Sequence, residues 1–503
     1  MKKLTLFLPL CALLIFSNHA FVQAQAAPAT QIQTESRTPD QKKQYRSAME
    51  EADQKIDAEI KAHSELMKNL EYLTTEIGPR LTGSKNMQRA SDWTLQRFKD
   101  YGVDAHLETT QVAHAFYRGD DRASITAPIQ RDVPIRSMGW SKPTDGELKG
   151  NVVILDMKAD LATYKGKLKG AIVLAGEPAT IPTTEADNAY DSVIPPHRGV
   201  PSASPAPNRF RMLMALKDEG IGILILDSGK TDNLFNMGGI SRNFAISDFP
   251  AAFLTHEDYS LIYRLAKENN QPVSMTVKLD GKFSPAPENA SITVAEIKGS
   301  EFPDERVIVG GHLDSWDLGQ GAVDNGTGAM ATLEAARTLK ALGWKPKRTI
   351  TFILFTGEEE GGLGANLFVK NHAAEIPKMD AVLIDDTGTG KIFSIALENL
   401  YETGPMMSEI YLPLEEVFDM EPLSTRYFGS SDHVEFLNKG VPAYFGVQTP
   451  AHYREAHHSQ TDTFDKVLPD QVNEGAALLA AWAWNVSEYP TPLPHHPEAK
   501  PRE

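Results

Sequence analysis

Cysteine is almost absent: Cys11 is the only one among 503 residues. It lies in an apolar stretch, Leu4 to Phe16, that follows Lys2 and Lys3 and leads to Ala24, Ala26 and Ala27. That order reads as a secretory signal peptide, with cleavage expected after Ala26. Leu10 stands before Cys11 where a bacterial lipoprotein signal favours Gly or Ala, which argues against a lipid anchor. The mature chain then has no thiol, so disulfides are excluded and any metal must be held by nitrogen and oxygen. Carboxylates and imidazoles suit zinc, with cobalt or manganese as substitutes. Long apolar runs are missing too, since the N-terminal stretch falls short of the ~20 residues a spanning helix needs. No membrane span is expected in the mature chain, and its place is secreted or periplasmic. Basic charge is also in deficit: the net charge of −17 becomes about −19 without Lys2 and Lys3, which disfavours nucleic acid as a partner. No internal repeat is evident.

What is present is a globular composition, 23% charged and 41% hydrophobic, in a chain long enough for two or three domains. After the signal peptide (1–26), residues 27–39 form a flexible lead-in rich in Ala, Gln and Thr. Residues 40–116 read as helical: Met49, Ile56, Ile60, Leu66 and Leu70 recur at helical spacing, Gly78-Pro79-Arg80 breaks the pattern, and Ser84 opens another helix that Gly102 ends. Residues 117–287 carry short β-rich runs punctuated by Gly and Pro, among them Gly150 to Leu155, Gly170 to Leu174 and Gly222 to Asp227, and read as an inserted β-rich lobe. Residues 288–489 alternate strand and helix, ending in a helix from Asp470 to Tyr489. Prolines over 490–503 predict a disordered tail. The expected fold class is α/β, a mixed, largely parallel sheet sandwiched by helices.

Five segments of the C-terminal third concentrate acids and histidines. The run Arg306 to Gly311 delivers His312 past the C-terminal end of a strand, where open α/β sheets place their ligands. Asp314, two residues on, is better placed to orient an imidazole than to bind the same ion; a solvated surface pair is the plain alternative. Asp324 sits in Gly321-Ala322-Val323-Asp324-Asn325-Gly326 just before a helix. Its two oxygens suit a bridge between two cations, although taken alone a helix cap is the simpler account. Glu358, Glu359 and Glu360 follow the strand Thr349 to Phe355, and three consecutive acids repel one another unless cations or protons compensate. A ligand and a proton carrier must be different groups, so Glu358 is assigned as general base and Glu359 as ligand. Asp385 and Asp386 end another apolar strand, and His457 and His458 stand in a loop; spacing does not separate the members of either pair.

These residues resemble the cocatalytic di-zinc exopeptidases of metallopeptidase family 28, which include bacterial leucyl aminopeptidases, and most closely their carboxypeptidase Q branch. The resemblance runs from about Glu71 to Tyr489, through Gly78 to Ser84, and is most specific over Gly310 to Asp317. It implies the zinc exopeptidase fold with a protease-associated-like domain over 117–287. It implies two zinc ions per chain, His312 and Asp386 on one, Glu359 and His458 on the other, and Asp324 bridging. It keeps Glu358 as base and Asp314 as the partner that orients His312, and it selects Asp386 over Asp385 and His458 over His457. Arg426, Tyr427, Ser430, Ser431 and His433 resemble a family segment near the active site and are candidate substrate contacts; an ordinary surface loop would read alike. The activity implied is hydrolysis of dipeptides or short peptides, as a dipeptidase or an aminopeptidase, and the resemblance also admits a homodimer. Two rivals are a binding module with a structural metal, which would not need Glu358, and a single-zinc acyltransferase such as a glutaminyl cyclase.

Overall fold

The computed structural model describes residues 37–156, 161–181, 206–241 and 244–497, with the backbone alone at 161–162 and 206–212. The expected signal peptide and most of the lead-in, up to Ser36, lie outside these residues, as do 498–503.

A seven-stranded mixed sheet carries the centre of the molecule. Its spatial order is Asp104–Val112, Glu288–Ile297, Arg348–Phe355, Phe302–His312, Met379–Ile384, Ala443–Gln448 and Ile392–Ala396. The four strands from Arg348–Phe355 to Ala443–Gln448 run parallel, and the flanking strands are antiparallel. Every residue of Arg348–Phe355 is buried, as a parallel strand covered on both faces requires. Helices Thr327–Ala341 and Pro469–Glu488 pack together on one face, joined by Pro39–His63 and Gly404–Phe418; Leu363–Asn371 and His433–Leu437 cover the other. Ser84 caps Lys85–Asp100 by accepting from Met87 N at 3.1 Å, so the helix expected after Ser84 forms where its cap dictates.

Two expectations are corrected. The N-terminal part is not helical throughout, since Asp104–Val112 pairs with Glu288–Ile297 as an edge strand. The Pro-rich tail is docked over the residues described: Leu493 is buried, its amide donates to Asp380 Oδ1 at 2.5 Å, and His496 N donates to Gly440 O at 3.1 Å.

Residues 122–278 build a second sheet of eight strands, in which Leu148–Ile154, Ile172–Leu174, Ile223–Asp227 and Ala251–Leu254 run parallel. Arg118 ties this lobe to the main body through a two-pronged ion pair with Asp317, at 2.8 and 2.7 Å. A cleft of about 750 Å³ opens between them, with Met138, Leu226 and Phe253 of the lobe facing Phe428, Phe445 and Tyr453.

Candidate metal centre

His312 is the last residue of its strand, Glu358 and Glu359 follow the neighbouring strand, and Asp386 follows Met379–Ile384. Adjacent parallel strands therefore deliver their side chains to one end of the sheet. Asp324 arrives from the turn before helix Thr327–Ala341. That turn is tight: Gly321 has φ 65°, and a Cβ there would lie 2.3 Å from Ser315 Oγ and 2.7 Å from Arg80 Nη2. Asn325, not Asp324, bonds the first turn of the helix, its Oδ1 accepting from Gly328 N at 3.0 Å and its Nδ2 donating to Asp385 O at 2.7 Å. The capping account of Asp324 thus falls away, and its carboxylate faces the cleft.

The two oxygens of Asp324 point to different histidines. Oδ1 is 3.3 Å from His312 Nε2, which is also 3.1 Å from Asp386 Oδ1. Oδ2 is 3.6 Å from His458 Nε2, which is also 2.9 Å from Glu359 Oε2. His457 stacks on His458 with ring centroids 3.7 Å apart and its Nε2 stands 3.9 Å from Asp324 Oδ2. Two separate groups of donor atoms close enough to share an ion exist among the described residues, one of Asp324, His457 and His458, the other of His312, Glu358 and Asp386.

These residues fit a metal. Donors sharing a tetrahedral zinc at ~2.0–2.2 Å stand about 3.3–3.6 Å apart, close to the separations found. Asp324 Oδ2 and Glu359 Oε1 are buried without a hydrogen-bond partner, and Glu359 Oε2 faces only the ring nitrogen of His458, which cations would remedy. Burial, then Asp386, pushes the Glu358 carboxyl up to about 8, and burial with neighbouring acids raises Glu359 and Glu360 as well. Burial would raise Asp324 too, yet His312, His457 and His458 hold it below the carboxylate range. His312, which burial alone would keep neutral, is raised by Asp386, Asp314 and Asp324. Burial lowers both His457 and His458, and a neutral imidazole is the form that binds metal.

Asp314 meets His312 first through its main chain: His312 Nδ1 lies 3.0 Å from Asp314 O and 3.5 Å from Oδ1. Its carboxylate accepts instead from Thr82 Oγ1 at 3.1 Å and, at 3.4 Å, from the amides of Glu358 and Glu359. Among the candidate substrate contacts, Ser430 and Ser431 line the cleft. Arg426, Tyr427 and His433 are not part of that lining; His433 is buried, with Nε2 3.4 Å from Glu398 Oε2.

Three supporting residues escaped the reading of the sequence. Buried Arg80 donates to the carbonyls of Leu313, Gln320 and Gly321 at 2.6, 2.9 and 2.7 Å, holding the loop after His312. Asp462 accepts from Val323 N at 2.6 Å and from Asp324 N at 3.3 Å, fixing the backbone of the bridging candidate. Lys230 reaches the histidine loop from the lobe. Arg80 and Asp462 both lie in runs that carry the family resemblance; Lys230 had no sequence signal.

Residues 293–483 match the model of peptidase family M28. Carboxypeptidase Q from Rattus norvegicus is 30% identical over 435 residues, 84% of this chain and 86% of that one. Among solved structures, a peptidase M28 precursor from Shewanella amazonensis is similar with a TM-score of 0.75 at 25% identity, covering 90% of this chain and 100% of that one. A zinc aminopeptidase from Bacillus subtilis shares the fold, with a TM-score of 0.61 at 18% identity over 83% of this chain and 93% of that one. The likeness to carboxypeptidase Q covers more than four fifths of each chain, and the family match over 293–483 contains the acids and histidines that converge at the sheet end, so this chain belongs to peptidase family M28 and is a metallopeptidase.

Proposed function

We propose that the protein is a zinc-dependent exopeptidase, carboxypeptidase Q-like, that hydrolyses dipeptides or short peptides outside the cytoplasm after loss of residues 1–26. The observation that carries the reading is the division of Asp324, one oxygen toward His312 and Asp386, the other toward His458 and Glu359. In this reading two zinc ions bind, His312 and Asp386 holding one, Glu359 and His458 the other, and Asp324 both. His458 is preferred to His457 because it alone of the pair also meets Glu359, at 2.9 Å.

Bound zinc supplies Lewis acidity, easing proton loss from water and polarising a carbonyl. Glu358 is the base: it lines the cleft and is left out of both ligand sets of this reading. Its carboxylate takes the proton of the attacking water and returns it to the leaving amine. Asp314 holds the amides of Glu358 and Glu359 in place, and Thr82 holds Asp314. Ser430 and Ser431 offer hydroxyls to the peptide, while the lobe closes the opposite wall as a protease-associated-like domain.

The test is metal analysis joined to a dipeptide panel with free, amino-blocked or carboxyl-blocked ends. Two zinc ions per chain and cleavage that needs free ends are expected. Release of N-terminal residues from longer peptides would make the protein an aminopeptidase, and one zinc with cyclisation of N-terminal glutamine would overturn the reading.

A further inference from the structure

The segment after the lobe strand Ile223–Asp227 runs onto the loop that carries His457 and His458. Lys230 Nζ donates to Arg454 O at 2.8 Å and also to His457 O. Met237 N donates to His458 O at 2.7 Å, Phe235 N to Gln460 Oε1 at 2.9 Å, and Gln460 Nε2 to Asn233 O at 3.0 Å. The carbonyls of both histidines are thus held by the lobe and not by the main sheet.

Two features show that this contact is more than incidental packing. Lys230 is only 9% exposed, and no carboxylate of the described residues lies within ion-pairing distance of its ammonium. Its hydrogen bonds go to carbonyls, with the charges of Asp324, Glu455 and Asp462 farther off, and a buried cation held in this way is costly to keep. His458 has φ 56°, a left-handed conformation uncommon for any residue but glycine, so its backbone needs outside restraint. The carbonyls on which Lys230 and Met237 act lie at and just before that turn. Lobe packing reinforces it: Trp316 meets the His458 ring edge-on at 6.0 Å, and Gly139 leaves room for the Trp316 ring, where a Cβ would come within 2.8 Å.

We propose that Lys230 is a positioning residue for one half of the metal centre: it fixes the turn that aims His458 Nε2 at Glu359 and Asp324. The proposal rests on the two-ion reading above. The other half is insulated, because the described polar contacts of His312 and Asp386 lie within the main body. The lobe would then do more than wall the cleft; it would complete the scaffold of a single ion.

Full-length wild type, Lys230→Met and Lys230→Arg are titrated with zinc against a chelating indicator, with the fold checked by circular dichroism. Wild type should bind two equivalents. In Lys230→Met one equivalent should weaken by about 10–100-fold, the range for lost outer-shell support, while the other is unchanged; Lys230→Arg, which keeps a cationic donor, should recover the weakened one. Equal affinities in Lys230→Met and wild type, or equal weakening of both equivalents, would overturn the proposal and leave the two-ion reading standing. Fewer than two equivalents in wild type would remove that reading and the proposal with it. Should Lys230→Met not fold, Lys230→Gln, which removes the ammonium and shortens the side chain without making it apolar, gives the same comparison.

Discussion

The hydroxyl of Thr82 donates to Asp314 Oδ2 at 3.1 Å, tying the early Gly78–Ser84 run to the acid beside His312. Asp314 in turn receives the amides of Glu358 and Glu359. Thr82→Val keeps the side-chain shape and removes the donor. It should lower kcat/KM by about tenfold while costing about 1–2 kcal/mol of stability. Steady-state kinetics beside urea unfolding checks both; an unchanged kcat/KM would show that the bond plays no part in positioning.

Glu358→Gln should retain the wild-type zinc content and lower kcat by about 10²–10⁴-fold, since the amide cannot carry the proton. Metal analysis and kinetics on one preparation decide the matter. Loss of zinc would make Glu358 a ligand, as its place beside His312 and Asp386 allows.

Asp53 is buried on helix Pro39–His63 and accepts from Asn485 Nδ2 at 3.1 Å. Burial pushes its carboxyl up to about 7 from an ordinary 3.8. The folded state therefore holds this proton more tightly than the unfolded one. The stabilisation is complete below about pH 4 and is lost as pH rises through about 7. Asp53→Asn should remove a pH-dependent contribution on the order of a few kcal/mol between those limits. Denaturant unfolding at pH 5 and pH 8 measures it: the wild type should lose more stability across that interval than the variant.

Leu493→Ala should destabilise the protein by about 2–4 kcal/mol, because Leu493 is 2% exposed. Thermal unfolding tests this, and a surface-like effect below about 0.5 kcal/mol would contradict the docked tail.

The contrast between Leu493 and the expected disordered tail shows what a sequence reveals. Prolines report that no helix continues, but not whether an extended segment finds Asp380 and Gly440 to bond with. The strand Arg348–Phe355 was legible because burial on both faces demands an apolar run. Asp104–Val112 was not, since an edge strand with one wet side reads Asp-Ala-His-Leu-Glu-Thr-Thr-Gln-Val and borrows its order from Glu288–Ile297. In the centre, residue types and strand ends pointed to His312, Asp324 and Glu358–Glu359, while the proposed choice of His458 rests on a resemblance and on its distance to Glu359. Lys230 left no trace, because its contact depends on a fold that brings it to a loop more than two hundred residues away.

The division of Asp324 also has a direction in time. One set of partners, His312, Asp324 and Asp386, is complete in the chain once residue 386 has been synthesised. The other waits for His458, and for the lobe segment to have closed on it. In the proposed two-ion reading the two halves would mature in this order as the chain is made, and uptake of the second ion would mark the docking of the lobe on the histidine loop.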